Sequence, residues 1–479
     1  MTKVLEAVPE WYHEAPKIVV KPPGPKARTI IEKTEKYVAR ISRGISRILQ
    51  VTFDEAFGAI VKDVDGNVYI DFAGPVTCCN TGYCHPKLVE AVKRQIERFQ
   101  HSYEYPTDVR AEAAELLAKQ VPGNFEKKVI FCSSGTESIE NAIRIAEFFT
   151  GKHEFITFWE SFHGKTRGSL SLTTYGLKLR KGMTKLPGIF HVPYPDCNHC
   201  PFKLTYPECG YFCIDWIDKV ITFESTDDLA AIILEPIIGG GCAVPPPGYW
   251  ERIKEVCDKY NALFVDDEVQ AGLCRTGKFF AIEYWKVAPD ILTTGKGLAG
   301  GMPCGSTVIR ADIDEKLDPD YGGFFTSTFG SNSVMMAAAV AALKIYIEER
   351  LWENAAKVGE KVIKRCQEMS EKYEVVGHIQ GKGLLIGVEL VQDKQKDIPS
   401  KDIALEVVKR CFERGLIIFN TGWHGGFVKI CPPLSITEEQ AIKGVDILEE
   451  VIAELDKEKK QGAIQFTYKE VMKTKAPMR

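Results

Sequence analysis

Short apolar runs alternate with stretches of helical spacing through the middle of the chain: "KVIFCSS", "EFITFW", "LAAIILEP", "ALFVDDE", "ILTTGKG" and "GSTVIR". This alternation predicts a largely parallel sheet with helices on both faces. Upstream, residues 59–72 ("AIVKDVDGNVYIDF") alternate apolar and polar positions around Asp65-Gly66, which predicts a hairpin with a tight turn. The Pro-rich "KIVVKPPGPKA" reads as an extended arm lying on another part of the molecule. Beyond about residue 330 the pattern changes. A long helix is expected over 333–349 and an amphipathic helix near 355–373. Strands follow at "GLLIGVEL", "GLIIFN" and "FVKIC", then a last helix opened by a capping box of Thr437 with Gln440.

The expected class is α/β, in three stretches: an N-terminal arm and hairpin (1–75), a large central lobe (76–330), and a C-terminal segment (331–479) that forms a smaller α+β lobe with the N-terminal residues. The chain shows no internal repeat and no low-complexity tract. Its 479 residues are too many for one simple core. Composition, with 45% apolar and 26% charged residues, is that of a globular protein. A net charge of −4, from 61 basic and 65 acidic residues, gives no reason to expect a nucleic-acid or membrane partner. The longest apolar run, Val334 to Leu343, is too short to span a bilayer, and the first thirty residues lack a secretory signal pattern. A soluble, cytoplasmic protein is the expectation.

The candidate chemistry begins at "FVDDEVQAG" (264–272), where Asp266, Asp267 and Glu268 follow directly on an apolar run. Buried carboxylates are costly unless something pairs with them. In an α/β lobe ligands collect at the C-terminal ends of the strands, where these acids are predicted to lie. Asp267 there can keep a ring nitrogen protonated. Lys296, between small residues in "TTGKGLAGG", can act as an amine nucleophile towards a carbonyl. An acid for the pyridine nitrogen and a lysine for the aldehyde are what pyridoxal phosphate requires. Taken singly, Asp267 also reads as a helix cap and Lys296 as a solvated loop residue. "CSSGTES" (132–138) sits between a strand and a helix, so Gly135 and Thr136 offer amides and a hydroxyl to an anion. A plain helix start, capped by Ser134 with Glu137, is the alternative there.

"SSGTESIENAIRIA", "FHGKTRGSLSL", "LEPI…PPPGYW", "FVDDEVQAGLCRTGKF", "TTGKGLAGGMPCG" and "TFGSNSV" occur in the order found in class III pyridoxal phosphate-dependent aminotransferases of the 4-aminobutyrate and ornithine type, and the chain resembles that family from about residue 28 to about 437. The resemblance implies the fold type I architecture: a large domain with a mostly parallel sheet, and a smaller α+β domain. It also implies a homodimer with active sites shared at the subunit interface; pairing of dimers into tetramers is left open. Substrates would be an amino acid and a 2-oxo acid. Lys296 would carry pyridoxal 5'-phosphate and shuttle the proton as base and acid, and Asp267 would pair with the pyridinium nitrogen. Gln270 would bind the 3′-oxygen, and Val269 and Phe162 would cover the two ring faces. Gly135 and Thr136 would bind the phosphate, joined by Thr328 from the neighbouring subunit. Glu235 would line the substrate side or serve as a paired structural acid.

The chain departs from that family at several positions. Lys165 and Lys429 stand where the 4-aminobutyrate and ornithine enzymes have arginine, Gly240 where they have a second acid, and Phe325 where they have histidine. Lysine lacks the planar fork with which arginine grips a carboxylate, so strict 4-aminobutyrate or ornithine specificity is not expected. Amino-acid racemases share the scaffold. Racemisation needs a base on each face of the substrate carbon, and Gly240 removes an obvious second one. A separate insert (195–215) carries Cys197, Cys200, Cys209 and Cys213, spaced for structural zinc, for two disulfides or as free thiols. The other eleven cysteines read as small buried hydrophobes.

Overall fold

Each apolar run forms a strand of one seven-stranded sheet. A computed structural model describes residues 8–317 and 323–462, so the outer limits of the first and last expected stretches, 1–7 and 463–479, lie outside it. The strand order is Lys127–Cys132, Gly305–Arg310, Ile291–Thr294, Leu263–Asp267, Leu229–Leu234, Glu154–Phe158 and Ile189–Val192. Neighbours from Ile291–Thr294 onwards are parallel, and Gly305–Arg310 runs antiparallel to both strands beside it. Leu229–Leu234 is buried at every position, as is Leu263–Asp267, which is why both read as continuous apolar runs rather than alternating ones. The edge strand Ile189–Val192 is only half-buried along most of its length, and its "IFHV" lacks the strong pattern of the others.

Because the inner strands are parallel, their C-terminal ends share one edge. Cys132, Phe158, Leu234, Asp267 and Thr294 are the last residues of their strands, and each leads into one of the chemical stretches named above. Cys132 feeds helix Gly135–Thr150 through the N-cap Ser134, whose hydroxyl accepts from the Glu137 N–H. The Glu137 carboxylate reaches one residue further than the expected box and accepts the Ser133 N–H at 3.0 Å.

The expected hairpin forms as Ile60–Asp63 against Val68–Asp71, with Phe53–Phe57 on its outer side. Its other edge is completed by the C-terminal strand Leu416–Ile417, paired in parallel with Val68–Asp71. The Pro-rich arm does lie on this hairpin: Lys17 bridges Val68, and Val19 and Val20 donate to Asn67 Oδ1. From Pro25 the chain turns helical through Tyr37, with proline at the first helical position where its missing N–H costs nothing. The remaining C-terminal strands build a sheet in the order Val376–Lys382, Leu385–Asp393, Phe427–Ile430, Phe419–Thr421. Helices Ser333–Glu348, Leu351–Lys372 and Glu438–Lys460 match the expected ones, the last with its Thr437–Gln440 capping box. Among the described residues no helix is long and apolar enough to cross a membrane.

Arg275 ties the central part of the chain to the last. It is fully buried, donates to the carbonyls of Leu384 and Pro432, and donates to Asn80 Oδ1 at 2.6 Å. A guanidinium that supplies several buried carbonyls leaves them unsatisfied when removed. Arg275→Ala is expected to cost about 3–5 kcal/mol, read as a lower denaturant midpoint in equilibrium unfolding.

Candidate active site

Asp267 closes its strand with both carboxylate oxygens held. Oδ2 lies 2.7 Å from His163 Nδ1, and Oδ1 accepts from the Val269 N–H at 3.1 Å and the Thr293 hydroxyl at 3.3 Å. His163 is itself fixed by Thr157 Oγ1, 3.1 Å from its Nε2, and its backbone N–H donates to Thr173 Oγ1. Sequence reasoning assigns His163 no role. The available signal was its place directly after Phe162, in the loop that follows the buried strand Glu154–Phe158.

The run of three acids divides by the period of a strand, which sends successive side chains to opposite faces. Asp266 and Glu268 point away from Asp267 and are fully buried. Both Asp266 oxygens lack a hydrogen-bond partner among the described residues, and Glu268 Oε1 accepts the Ile282 N–H at 2.8 Å. Burial pushes both carboxyls well above their ordinary range; Glu268 and Asp267 add to the shift of Asp266, and Glu283 and Asp267 to that of Glu268. Two acids pushed by burial towards the neutral form on one face, and a hydrogen-bonded one on the other, answer what so much carboxylate does inside a protein.

Lys296 follows strand Ile291–Thr294 with a left-handed backbone, φ +39°, unusual for a side-chain-bearing residue. Its amine has no hydrogen-bond or ion-pair partner among the described residues. Burial holds its pKa below the ordinary lysine value, against the pull of Asp267 and Glu235, while Lys429 adds to the depression. Three segments meet around it with no room for side chains. A Cβ on Gly135 would lie 2.7 Å from Val269 Cγ1, and one on Gly295 would lie 3.1 Å from the Gly135 backbone. Val269 is thus wedged between the start of helix Gly135–Thr150 and the lysine loop. Gln270 is equally close to the next loop, where a Cβ on Gly239 would overlap its Nε2.

The other expected residues fall into place unevenly. The Thr136 hydroxyl bonds within the protein, accepting from the Lys165 N–H at 3.2 Å and lying 2.7 Å from Ser169 Oγ. Glu235 spends both oxygens on backbone, accepting the N–H of Phe162 and of Gly239 at 2.8 Å each; this is the geometry of a loop clamp. Burial raises its pKa, with His163 opposing and Asp267 adding. Lys165 is exposed, its ammonium 5.9 Å from the centre of the Phe162 ring. Lys429 is buried and donates to the Gly239 carbonyl. Thr328 is exposed on the chain, two residues after Thr326, while Ser327 donates to Glu137 at 3.4 Å. Phe325 packs edge-on to Phe148, with the Arg144 guanidinium over its face.

One further residue escapes sequence reasoning. At Gly240 a Cβ would meet the Tyr175 ring at 2.9 Å, so Tyr175 occupies the space that a side chain there would take. Its ring meets that of Phe162 edge to face, and its hydroxyl lies 3.1 Å from Thr421 Oγ1.

Of the three readings open for the cysteine insert, the structure carries the free thiols. All fifteen cysteines are free thiols, and eight of the eleven outside the insert are buried, as their reading as small hydrophobes requires. Cys197, Cys200, Cys209 and Cys213 line one pocket with Phe202 and Phe212, unbonded to one another. Among the described residues, three or more of their sulfurs do not gather within 4.8 Å. Burial pushes the Cys197 and Cys213 thiols up to about 11. Neither structural zinc on these sulfurs nor two disulfides is supported.

Comparison with known proteins agrees with this geometry. A family model described as Aminotransferase class-III matches residues 41–452. An alanine/serine racemase of Pyrococcus horikoshii is 38% identical, covering 92% of this chain and 93% of the relative. A leucine/methionine racemase of Thermococcus litoralis is 36% identical over 88% and 96%. An acetylornithine aminotransferase of Methanopyrus kandleri is 39% identical over 85% and 93%. A solved aminotransferase of Bacillus anthracis superposes with a TM-score of 0.83 at 30% identity, covering 90% of this chain and 99% of its own. The chain belongs to the class III aminotransferases, a family that works with pyridoxal phosphate and has the fold type I architecture. The residues present fit that cofactor: an amine of lowered pKa, unpartnered among the described residues, stands beside a fixed carboxylate, where the close approach of the Gly135 and Gly295 backbones leaves room for no further side chain.

The two faces of the acid run predict opposite outcomes. Asp267→Asn is expected to lower turnover by about 10²–10⁴-fold, whereas Asp266→Asn keeps activity within a few-fold; steady-state rates on the two variants decide it.

Proposed function

We propose that this chain transfers an amino group from an α-amino acid to a 2-oxo acid in ping-pong fashion, using Lys296 as the reactive amine. When bound, pyridoxal phosphate supplies an aldehyde that captures amino groups and a ring that takes up the electron pair left when the Cα–H bond breaks. The observation that carries the reading is the Lys296 amine, unpaired and depressed in pKa beside the Asp267–His163 contact. As a neutral amine Lys296 would hold the cofactor through its aldehyde and would serve as the base and acid that moves the substrate Cα proton.

The other residues divide the work of holding. Asp267, fixed on three sides, faces the ring nitrogen and keeps its proton in place. His163 acts behind it as a positioning residue. Gln270 serves the 3′-oxygen, Val269 and Phe162 cover the two ring faces, and the amides at Gly135 and Thr136 receive the phosphate at a helix start. Since the Thr136 hydroxyl is committed to its neighbours, its backbone N–H is the better-supported donor. Thr328 reaches the phosphate of a second copy. Tyr37, Val38, Ile41, Ile45 and Ile48 leave an exposed apolar stretch on the isolated chain, and Ile41 is 99% exposed; a second copy would cover it.

On the substrate side, Lys429 is the better-supported carboxylate partner, because it is buried near Lys296 whereas Lys165 is exposed. A lysine attracts a carboxylate as a point charge without the fork of arginine. Shape, set largely by Tyr175 over Gly240, then selects among α-amino acids.

Racemisation is the second reading. The racemases among the relatives favour it, and Tyr175 brings a phenol to the place left open at Gly240. Proton delivery from the face opposite Lys296 would then fall to that hydroxyl.

A panel of amino acids with 2-oxoglutarate and with pyruvate, followed by chiral chromatography, separates the two. Transfer to an acceptor with retained configuration is expected. Inversion without acceptor, abolished by Tyr175→Phe, would establish the racemase instead. Lys296→Ala is expected to lower either activity by at least about 10²–10⁴-fold.

The depressed lysine pKa also sets a pH dependence. Below that pKa the ammonium has no lone pair, so capture of added pyridoxal phosphate by the apo-protein slows in acid. Absorbance-monitored capture rates should rise with pH and level off below the ordinary lysine value of about 10.4.

A further inference from the structure

The cysteine insert meets the C-terminal sheet through a polar cluster that the amino-transfer chemistry does not use. His199, from "CNHC" in the insert, faces Glu389 on strand Leu385–Asp393, His378 on strand Val376–Lys382, and Asp397. One donor atom from each of the four lies within 4.8 Å of the other three. His199 Nε2 is 3.2 Å from Glu389 Oε1 and 3.5 Å from Asp397 Oδ2, and His378 Nε2 is 3.8 Å from Asp397 Oδ1. Donor atoms around one tetrahedral ion, each about 2.0–2.2 Å from it, stand about 3.3–3.6 Å apart.

Two details distinguish this cluster from an ordinary ion pair. Glu389 is fully buried, yet its Oε1 has no hydrogen-bond partner, and the His199 Nε2 that faces it has none either. The two atoms approach without the alignment of a hydrogen bond, as two ligands of a common ion do. The remaining atoms of both groups are fixed from behind. Glu389 Oε2 accepts the His378 N–H at 3.2 Å, and His199 Nδ1 lies 3.0 Å from Asp196 Oδ2. Asp196 in turn accepts from the Asn198 N–H at 3.0 Å and from Gln380 Nε2 at 3.3 Å. A carboxylate behind one imidazole nitrogen, presenting the other nitrogen outward, is the usual support of a metal-binding histidine.

We propose that His199, His378, Glu389 and Asp397 bind one divalent transition-metal ion, zinc in the first instance, which clamps the cysteine insert to the C-terminal sheet. Two imidazoles and two carboxylates suit zinc or cobalt, in contrast to the all-oxygen sets of calcium and magnesium or the thiolates of copper(I). His424 closes the far side, with Nε2 3.9 Å from Glu389 Oε1, and burial keeps it neutral by pulling it down to about 4. The rival occupant is a proton. Burial works against charge on His199, but Asp196 and Glu389 outweigh it and hold the imidazolium up to about 11, so metal capture releases that proton. The clamp lies close to the active site: Glu389 pairs in register with Phe427, and Gly387, two residues back on the same strand, pairs with Lys429.

The test uses the full chain with its cofactor, dialysed against chelator and titrated with Zn²⁺ or Co²⁺, with metal content measured by mass spectrometry. About one zinc per chain is expected, with Kd raised at least about tenfold in His378→Gln and in Glu389→Gln and unchanged in a Cys197→Ser/Cys200→Ser double variant. Cobalt should give visible ligand-field bands without thiolate-to-cobalt absorption. Absence of stoichiometric metal, leaving the proton as occupant, would overturn the proposal. So would a site that survives Glu389→Gln but is lost in the cysteine variant. Should the substituted chains not fold, the wild-type cobalt spectrum decides, since a thiolate band there sinks the proposal.

Discussion

The contact of 2.7 Å between His163 Nδ1 and Asp267 Oδ2 is the constraint on which the site depends. It joins the ends of two strands separated by Leu229–Leu234, and so sets the loop carrying Phe162 relative to the strand carrying Val269 and Gln270. Glu235, at the end of the strand between them, fastens the same loop through the Phe162 amide and its own following loop through the Gly239 amide. Every group assigned to the ring is therefore mounted on the rigid edge of a buried parallel sheet, where the entropy of placing it was already spent in folding.

Most of this edge was legible in the sequence, for a physical reason. Strands buried on both faces must be continuously apolar, so "LAAIILEP" and "ALFVDDE" announce themselves, and the polar residues that end them stand out. Thr437 and Gln440 were legible as a cap because a helix start has local chemistry. Helix Pro25–Tyr37 was not: it follows a Pro-rich arm, and just one of its residues is buried, so it carries no strong apolar stripe. Strand Ile189–Val192 is a half-buried edge and was missed for a similar reason.

Within the site, residues whose role depends on local neighbours were readable, and residues whose role depends on distant ones were not. Gly135 and Thr136 sit beside their own helix start. Tyr175 matters only because folding brings it over Gly240, and His163 only because it reaches Asp267 past the intervening strand. The insert shows the same division: four spaced cysteines drew attention, while His199 between two of them finds its partners far along the chain. At Gly240 the space a side chain would take is filled by the Tyr175 ring, contributed from another part of the chain.

The pairing of Leu416–Ile417 with Val68–Asp71 has a consequence for biosynthesis. The hairpin emerges from the ribosome near the beginning of translation, but the strand that completes its edge is made close to the end. Through that interval the backbone of Val68–Asp71 presents unpaired amides and carbonyls, an open template for pairing with another nascent chain. The arm that bridges Lys17 to Val68 emerges first and is positioned to shield part of that edge while the rest of the protein is being made.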